Sequence, residues 1–377
     1  MERKNILFIS SWFPNKVEPS NGNFVQRHAE AVSLQHHVEI LHSIGDFDQK
    51  EKYMIDDQLI NGIRTLIVYY KNSKNPLQNF YRRMKAYKMG FSKMQKPDLV
   101  HANVLHNSMF FAVYLKKRFN IPFVISEHWT AYQENASDAH GKVWRFFAKW
   151  IANQSATVLP VSENLKKGLI ALGVRKPIKV ISNVVNTDVF KLNKDVKKNE
   201  IFTFLHVSSL VERKNPDKII KAAKKLSDAG YRFRLEIGGS DFRHLEKQIT
   251  DLSASAYIST FGFLPLIQIA EKMQQSHALI LFSENETQGC VLVEANASGI
   301  PVISSNVGGV PEFVKKNTGI LVSKDNEEEL YLAMENMLLK KIDFESPEIL
   351  HRQIKDKYSP EKIAEAFSEV YEYALTQ

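Results

Sequence analysis

Two successive series of short apolar runs, each run separated from the next by a helical pattern, constrain this 377-residue chain more than any single motif. The first series reads NILFIS (5–10), HVEILHS (37–43), IRTLIVYY (63–70), DLVHAN (98–103), PFVISEH (122–128), ATVLPVS (156–162) and IKVISNV (178–184). Helical patterns at 23–35, 77–95, 107–119, 141–153 and 162–172 lie between several of them. The second series reads IFTFLHVSSL (201–210), RFRLEIGG (232–239), AYISTFGF (256–263), HALILFS (277–283), IPVISS (300–305) and GILVS (319–323). Short apolar strands alternating with helices predict parallel sheets covered on both faces. Each series is long enough for one doubly wound domain. The expected fold class is therefore α/β: two Rossmann-like doubly wound domains facing across a cleft. The domains are expected at 1–190 and 201–358, joined by the polar linker KLNKDVKKNE (191–200). The segment 359–377 predicts a final helix packing back on the N-terminal domain. Ser359 is its expected N-cap and Pro360 its first residue.

The one cysteine, Cys290, excludes an intramolecular disulfide and suits a reducing compartment, so a cytoplasmic location is expected. MERKNILFISS reads as a first strand and not as a signal peptide. No apolar run is long enough to predict a spanning helix. The Asn-x-Ser/Thr tripeptides at Asn135, Asn153, Asn285 and Asn296 are then chance matches. The net charge of +8 is unevenly spread: residues 1–190 hold 26 Lys and Arg against 15 Asp and Glu. YRRMKAYKMGFSKMQK (81–96) is the densest basic stretch. A solvated helix face explains it; a docking face for an anionic membrane or a phosphate-bearing acceptor is the sharper reading. No reader motif accompanies the charge, so nucleic acid is not expected as a partner.

SENETQGCVLVEANASGIPVISSNVGGVPE (283–312) concentrates the chemistry. Glu286 falls in a loop after a strand and Glu294 on the helix that follows. A helix N-terminus with free N–H groups favours an anion. The glycines of NVGGVPE permit close backbone approach to a ligand. Carboxylates accept hydrogen bonds from hydroxyls and amides bind phosphate, so a sugar attached to a diphosphate would use every part of this segment. Doubly wound sheets bind ligands at the carboxyl ends of their strands, which is where it sits.

With this segment in place, the chain resembles the retaining glycosyltransferases of the GT-B fold, group 1 or family 4. Glu286 and Glu294 match the E-x7-E pattern of that family. SSWFPNKVEPSNGNFVQRHAEAVS, DLVHAN, ISEHWT, VISNVVNTDVF and ERKNPDKIIKA follow in the family's order. The resemblance implies a transferase that moves a hexosyl-type sugar from a nucleotide-diphosphate-sugar to a hydroxyl of a glycan, lipid-linked or small-molecule acceptor. It implies a role in cell-surface polysaccharide or glycolipid synthesis, at a cytoplasmic or inner membrane face. No cofactor or metal is implied; the nucleotide-sugar is itself a substrate.

Residue roles carry over from the resemblance. Gly22 and Asn23 would present backbone amides to the donor diphosphate. His128 would approach the donor sugar and the reaction centre, and Lys214, assisted by Arg213, would neutralise the diphosphate. Glu286 would contact the donor sugar, Glu294 the ribose hydroxyls, and Gly289 would lie in the donor loop between them. His101, Gly308, Gly309 and Glu312 are further candidates; a core histidine and a structural turn explain them equally. Ser208-Ser209 stand where the family carries Gly-Arg, Gln288 where it often carries an aromatic, and Asn183-Val184-Val185-Asn186 where it has Asn-Gly-Val-Asp. Asp46-Phe47-Asp48 fits the metal-binding D-x-D of another transferase fold, but chance explains it better in this position, and no Cys/His metal spacing is present. No carboxylate nucleophile for the opposite sugar face, as the two-carboxylate route of retaining hydrolases requires, can be picked out. The resemblance itself implies a front-face displacement, with a donor phosphate oxygen accepting the acceptor's proton. A sugar-nucleotide epimerase or hydrolase on the same architecture, and a non-catalytic nucleotide-sugar binder, are the alternatives.

Overall fold

A computed structural model describes residues 2–19, 21–134, 141–193, 195–240 and 242–377. Asn135 of the tripeptides above lies outside them. The chain divides into two compact units, Met1–Val184 with Pro360–Gln377, and Val185–Ser359. The stretch 191–200, expected as the linker, lies inside the second unit. The crossing falls between two valines: Val184 is buried in a core of the first unit and Val185 in a core of the second. Neither side of the crossing has linker composition, because both residues are core.

Among the described residues, the first unit holds seven strands. They are β1 (Asn5–Ser10), β2 (His37–Asp46), β3 (Tyr53–Ile60), β4 (Ile63–Lys71), β5 (Leu99–Asn103), β6 (Phe123–Glu127) and β7 (Val158–Pro160). Their order is β3-β4-β2-β1-β5-β6-β7, and only the β3–β4 pair is antiparallel. Alternate residues of β1 serve opposite faces, as a strand's pleat requires. Leu7 and Ile9 enter one core; Ile6 and Phe8 enter the other. The second core also takes Phe367 and Tyr371 from the helix Pro360–Leu375. The Tyr371 hydroxyl lies 2.6 Å from His101 Nδ1, and Ser368 Oγ lies 2.9 Å from His36 Nε2. The segment 178–184 is not a strand. It meets β7 through one bridge, Val158 to Ile178.

The second unit holds β8 (Thr203–Val207), β9 (Arg234–Gly238), β10 (Ile258–Phe261), β11 (Ala278–Leu281), β12 (Val302–Ser305) and β13 (Gly319–Val322). All are parallel, in the order β10-β9-β8-β11-β12-β13. The winding direction reverses between β8 and β11, as it does between β1 and β5 in the first unit. Loops leaving two such neighbours diverge to opposite faces, and the gap between them is where a doubly wound sheet takes a ligand.

Candidate active site

In the second unit, the loops after β8 and β11 are tied together by backbone and side chain. Leu210 takes a left-handed conformation, φ 54°, and the chain makes a single turn at Glu212–Lys214. Asn215 Nδ2 donates to the Phe282 carbonyl at 3.1 Å, and Glu284 N donates to the Arg213 carbonyl at 2.8 Å. These bonds hold the two loops in register. Lys214 and Glu286 then meet as an ion pair, with side chains only 12% and 11% exposed. The Arg213 side chain stays exposed. Glu286 is fixed from a third direction as well, because Gly309 N donates to its carbonyl at 3.1 Å.

Gly289 follows in the same loop, with φ 75°, and precedes the helix Cys290–Ala297 without a side-chain cap. Its conformation turns the chain sharply, and a Cβ there would meet Leu292 at 2.9 Å. Glu294 is buried on that helix. Gly308 is left-handed at φ 51°, and Gly309 opens the short helix Val310–Phe313, which carries a half-buried Glu312. One end of the sheet therefore brings together Lys214, Glu286, Gly289 and Gly309.

Sequence reading missed the residue that supports this loop from beneath. His206, on β8, is buried, and burial pushes its pKa down to about 4; the Ile280 carbonyl opposes that shift, while Lys214 adds to it. The ring is neutral near pH 7. Its Nδ1–H donates to the Ile280 carbonyl at 2.9 Å, so Nε2 accepts from the Ser208 hydroxyl at 2.9 Å. Ser208 Oγ in turn accepts from Leu210 N at 3.0 Å. Ser208, at a departure from the family pattern, thus holds the loop in which Lys214 is set. The sequence signal for this was a histidine in the mostly apolar run TFLHV.

In the first unit, Gly22 precedes the helix Asn23–Ser33 in left-handed conformation, φ 76°, again without a side-chain cap. A Cβ there would meet the Trp12 carbonyl oxygen at 2.3 Å, so only glycine fits. Asn23 is exposed. His128 is buried, with its ring centroid 4.1 Å from Phe24 and 5.3 Å from His28. Burial holds its pKa well below the usual imidazole range, His28 and His101 push it the same way, and the Asn183 side chain opposes them. The ring is therefore a neutral hydrogen-bonding group and not a cation at pH 7. His101 is different: Nδ1 faces Tyr371 Oη at 2.6 Å, and Nε2 faces Ser126 Oγ at 2.7 Å. Both nitrogens are used inside the unit, which makes His101 a core residue rather than a donor contact.

Glu127, which ends β6 next to His128, belongs to the ISEHWT motif but has no role that the sequence reveals. Its carboxylate accepts from Leu105 N at 2.6 Å, His128 N at 2.7 Å and Trp129 N at 2.6 Å. Burial pushes its pKa up to about 7, and these three donors oppose the rise. It fixes the backbone that aims His128. Asp46 of the D-x-D tripeptide ends β2 and pairs with Lys16 at 3.0 Å. Among the described residues, no three His, Cys, Asp or Glu side chains cluster to hold a metal.

Residues 186–362 match the family described as Glycosyl transferases group 1, and residues 22–189 match Glycosyltransferase Family 4. The chain belongs to the group 1 and family 4 glycosyltransferases. Among proteins similar in sequence, a phosphatidylinositol N-acetylglucosaminyltransferase subunit from Arabidopsis thaliana is 26% identical over 219 residues, 57% of this chain and 48% of that protein. An uncharacterized glycosyltransferase of Methanocaldococcus jannaschii is 27% identical over 295 residues, 76% of this chain and 79% of its own. The chain thus spans about half the length of the first relative and most of the second. Sucrose-phosphate synthase from Thermosynechococcus elongatus superposes with a TM-score of 0.77 at 18% identity, covering 98% of each chain. Anabaena HepE in complex with UDP-glucose superposes with a TM-score of 0.74 at 18% identity, covering 98% of this chain and 100% of that one. These likenesses identify the group 1 transferase as a GT-B fold.

Proposed function

We propose that this transferase moves a hexosyl sugar from a nucleotide-diphosphate donor to an acceptor hydroxyl with retention of anomeric configuration and without a metal. The acceptor is a glycan or a lipid-linked glycan, as in cell-surface polysaccharide or glycolipid synthesis at a cytoplasmic membrane face. One observation carries the reading. The buried Lys214–Glu286 pair sits where the second sheet reverses, beside the uncapped start of the helix Cys290–Ala297. A cation and helix N-terminal N–H groups suit a diphosphate, and adjacent carboxylates suit sugar hydroxyls.

The chemistry follows from those groups. The acceptor oxygen attacks the anomeric carbon on the face that the diphosphate leaves. The carbon–oxygen bond to phosphate breaks, and the acceptor proton passes to a phosphate oxygen of the departing group. Lys214, turned from Glu286 towards the diphosphate and helped by Arg213, would stabilise the charge that builds there. Glu286 would then accept from a donor hydroxyl, while Glu294 would hold the ribose. His128, neutral, would hydrogen-bond at the sugar. HepE was captured with UDP-glucose, so UDP-sugars are the first donors to test.

The test is a thermal-shift screen of nucleotide-sugars, since a ligand that binds the folded state raises its apparent stability. A transfer assay follows, with and without acceptor and with EDTA. Product formed only with acceptor, with unchanged anomeric configuration and in the presence of EDTA, supports the proposal. Donor turnover at the same rate without acceptor would point to a hydrolase or epimerase instead.

A further inference from the structure

The helix Lys142–Ala152, in the first unit, has two apolar faces. Ala148, Ile151 and Ala152 are buried against the unit. A surface helix ordinarily turns its remaining sides to water as polar surface. Here Val143, Phe146 and Phe147, at positions i, i+3 and i+4, remain 71%, 63% and 40% exposed. Lys142, Arg145 and Lys149 form a third, basic face beside them.

The exposed apolar surface continues onto a second helix. The Phe147 ring lies 5.5 Å from Phe110, and Phe110 lies 5.8 Å from Phe80 on the helix Pro76–Phe91. Leu77 and Tyr81 of that helix are 80% and 65% exposed. The basic stretch 81–96 contributes less than its charge suggests. Arg83 is held by Tyr70 Oη at 3.2 Å and by Asn107 Oδ1 at 3.0 Å, and Arg82 donates to the Lys71 carbonyl. Among the described residues, no helix is long and apolar enough to cross a membrane. Exposed aromatics beside a basic face suit the boundary between headgroups and acyl chains, where the rings enter and the cations meet phosphate.

We propose that Val143, Phe146 and Phe147, continued by Leu77 and Tyr81, enter the headgroup region of an anionic lipid bilayer, with Lys142 and Lys149 on its phosphates. The charge complementarity of an anionic surface selects this occupant over a neutral protein face. The proposal rests on the membrane-face reading above and not on the transfer reaction; its test uses no donor, so its failure leaves that reaction standing.

The full chain is sedimented with phosphatidylcholine vesicles containing phosphatidylglycerol, and with phosphatidylcholine alone. Binding to the anionic vesicles is expected, with partitioning at least about tenfold weaker for Val143→Ser/Phe146→Ser. Added salt should weaken it further. Phe263→Ser/Ile267→Ser removes exposed apolar side chains from the second unit and should leave binding unchanged. Circular dichroism and thermal melting matching the unaltered chain would show that the first variant folds. Three results would each overturn the proposal: no binding to anionic vesicles at low ionic strength, equal binding by the ridge variant, or concentration-dependent dimerisation that only the ridge variant loses.

Discussion

Lys214 and Glu286 lie 72 positions apart in the chain, yet close on one another as an almost fully buried ion pair. Lys214 is therefore held by a carboxylate with which a bound diphosphate would compete. Removing either partner leaves the other charged and poorly solvated, which is costly in a way that loss of a surface pair is not. Lys214→Ala should for this reason lower the stability of the second unit by about 3 kcal/mol. It should also depress turnover per folded molecule by roughly a hundredfold. Lys214→Met/Glu286→Gln should recover much of the stability and none of the turnover. Urea melts paired with active-site-normalised assays check both; a Lys214→Ala protein with unaltered stability and turnover would remove Lys214 from the site.

The two glutamates should separate by ligand. Glu294→Ala is expected to weaken binding of the bare nucleoside diphosphate and of the intact donor alike, since both carry the ribose. Glu286→Ala is expected to cost the intact donor more than the bare nucleotide. Calorimetry with both ligands decides it, and the opposite pattern would mean the two roles are exchanged.

Acid should destabilise both units. Burial holds His28, His42 and His206 at about 4, below the ordinary 6.5. Each binds a proton more readily unfolded than folded. Its contribution is full above pH 6.5 and is lost as pH falls towards 4. A shift of this size is worth on the order of 3 kcal/mol per residue. Glu127, pushed up from 4.5 to about 7, works the other way: its contribution is full below 4.5 and is lost as pH rises through 7. Three histidines outweigh one carboxyl, so the urea midpoint should fall between pH 6.5 and 4.5. His206→Asn keeps a donor for the Ile280 carbonyl but cannot protonate, and should flatten that slope. A midpoint independent of pH over this window would show that these rings are not buried neutral.

Tyr371→Phe deletes one hydroxyl and leaves the ring in place. His101 then loses its Nδ1 partner in a fully buried site. An unmet buried polar atom costs about 1–3 kcal/mol. The expected loss is in that range, with donor affinity unchanged. Reduced donor affinity at unchanged stability would return His101 to the binding site.

Most strands were legible because parallel sheets buried on both faces write themselves as short apolar runs. The one missed, β3, is an antiparallel edge strand. Its Asp56, Asp57 and Gln58 break the apolar pattern, since an edge strand need not be buried. The better clue lay beside it. Asn61 and Gly62, at φ 48° and 81°, make the two-residue turn into β4, and Asn-Gly between apolar flanks is a hairpin signal. The run 178–184 misled in the opposite sense, since Ile181 and Val184 are apolar to fill a core and not to extend a sheet. In the candidate site, the neighbourhood of Lys214, Glu286, Gly289 and Gly309 was legible from a motif, while their roles in donor binding remain proposals. His206, Ser208 and Glu127 were not, because their roles come from partners in other loops or strands.

The helix Pro360–Leu375 supplies core residues to a unit whose other segment ends at Val184. During synthesis, Phe8, His36 and His101 leave the ribosome long before Phe367, Ser368 and Tyr371 exist to pack or bond with them. The second unit, Val185–Ser359, is continuous in sequence. Translation therefore inverts the usual order in which the N-terminal domain is finished first. The unit begun first is completed last, and until then its core lacks the side chains that this helix supplies.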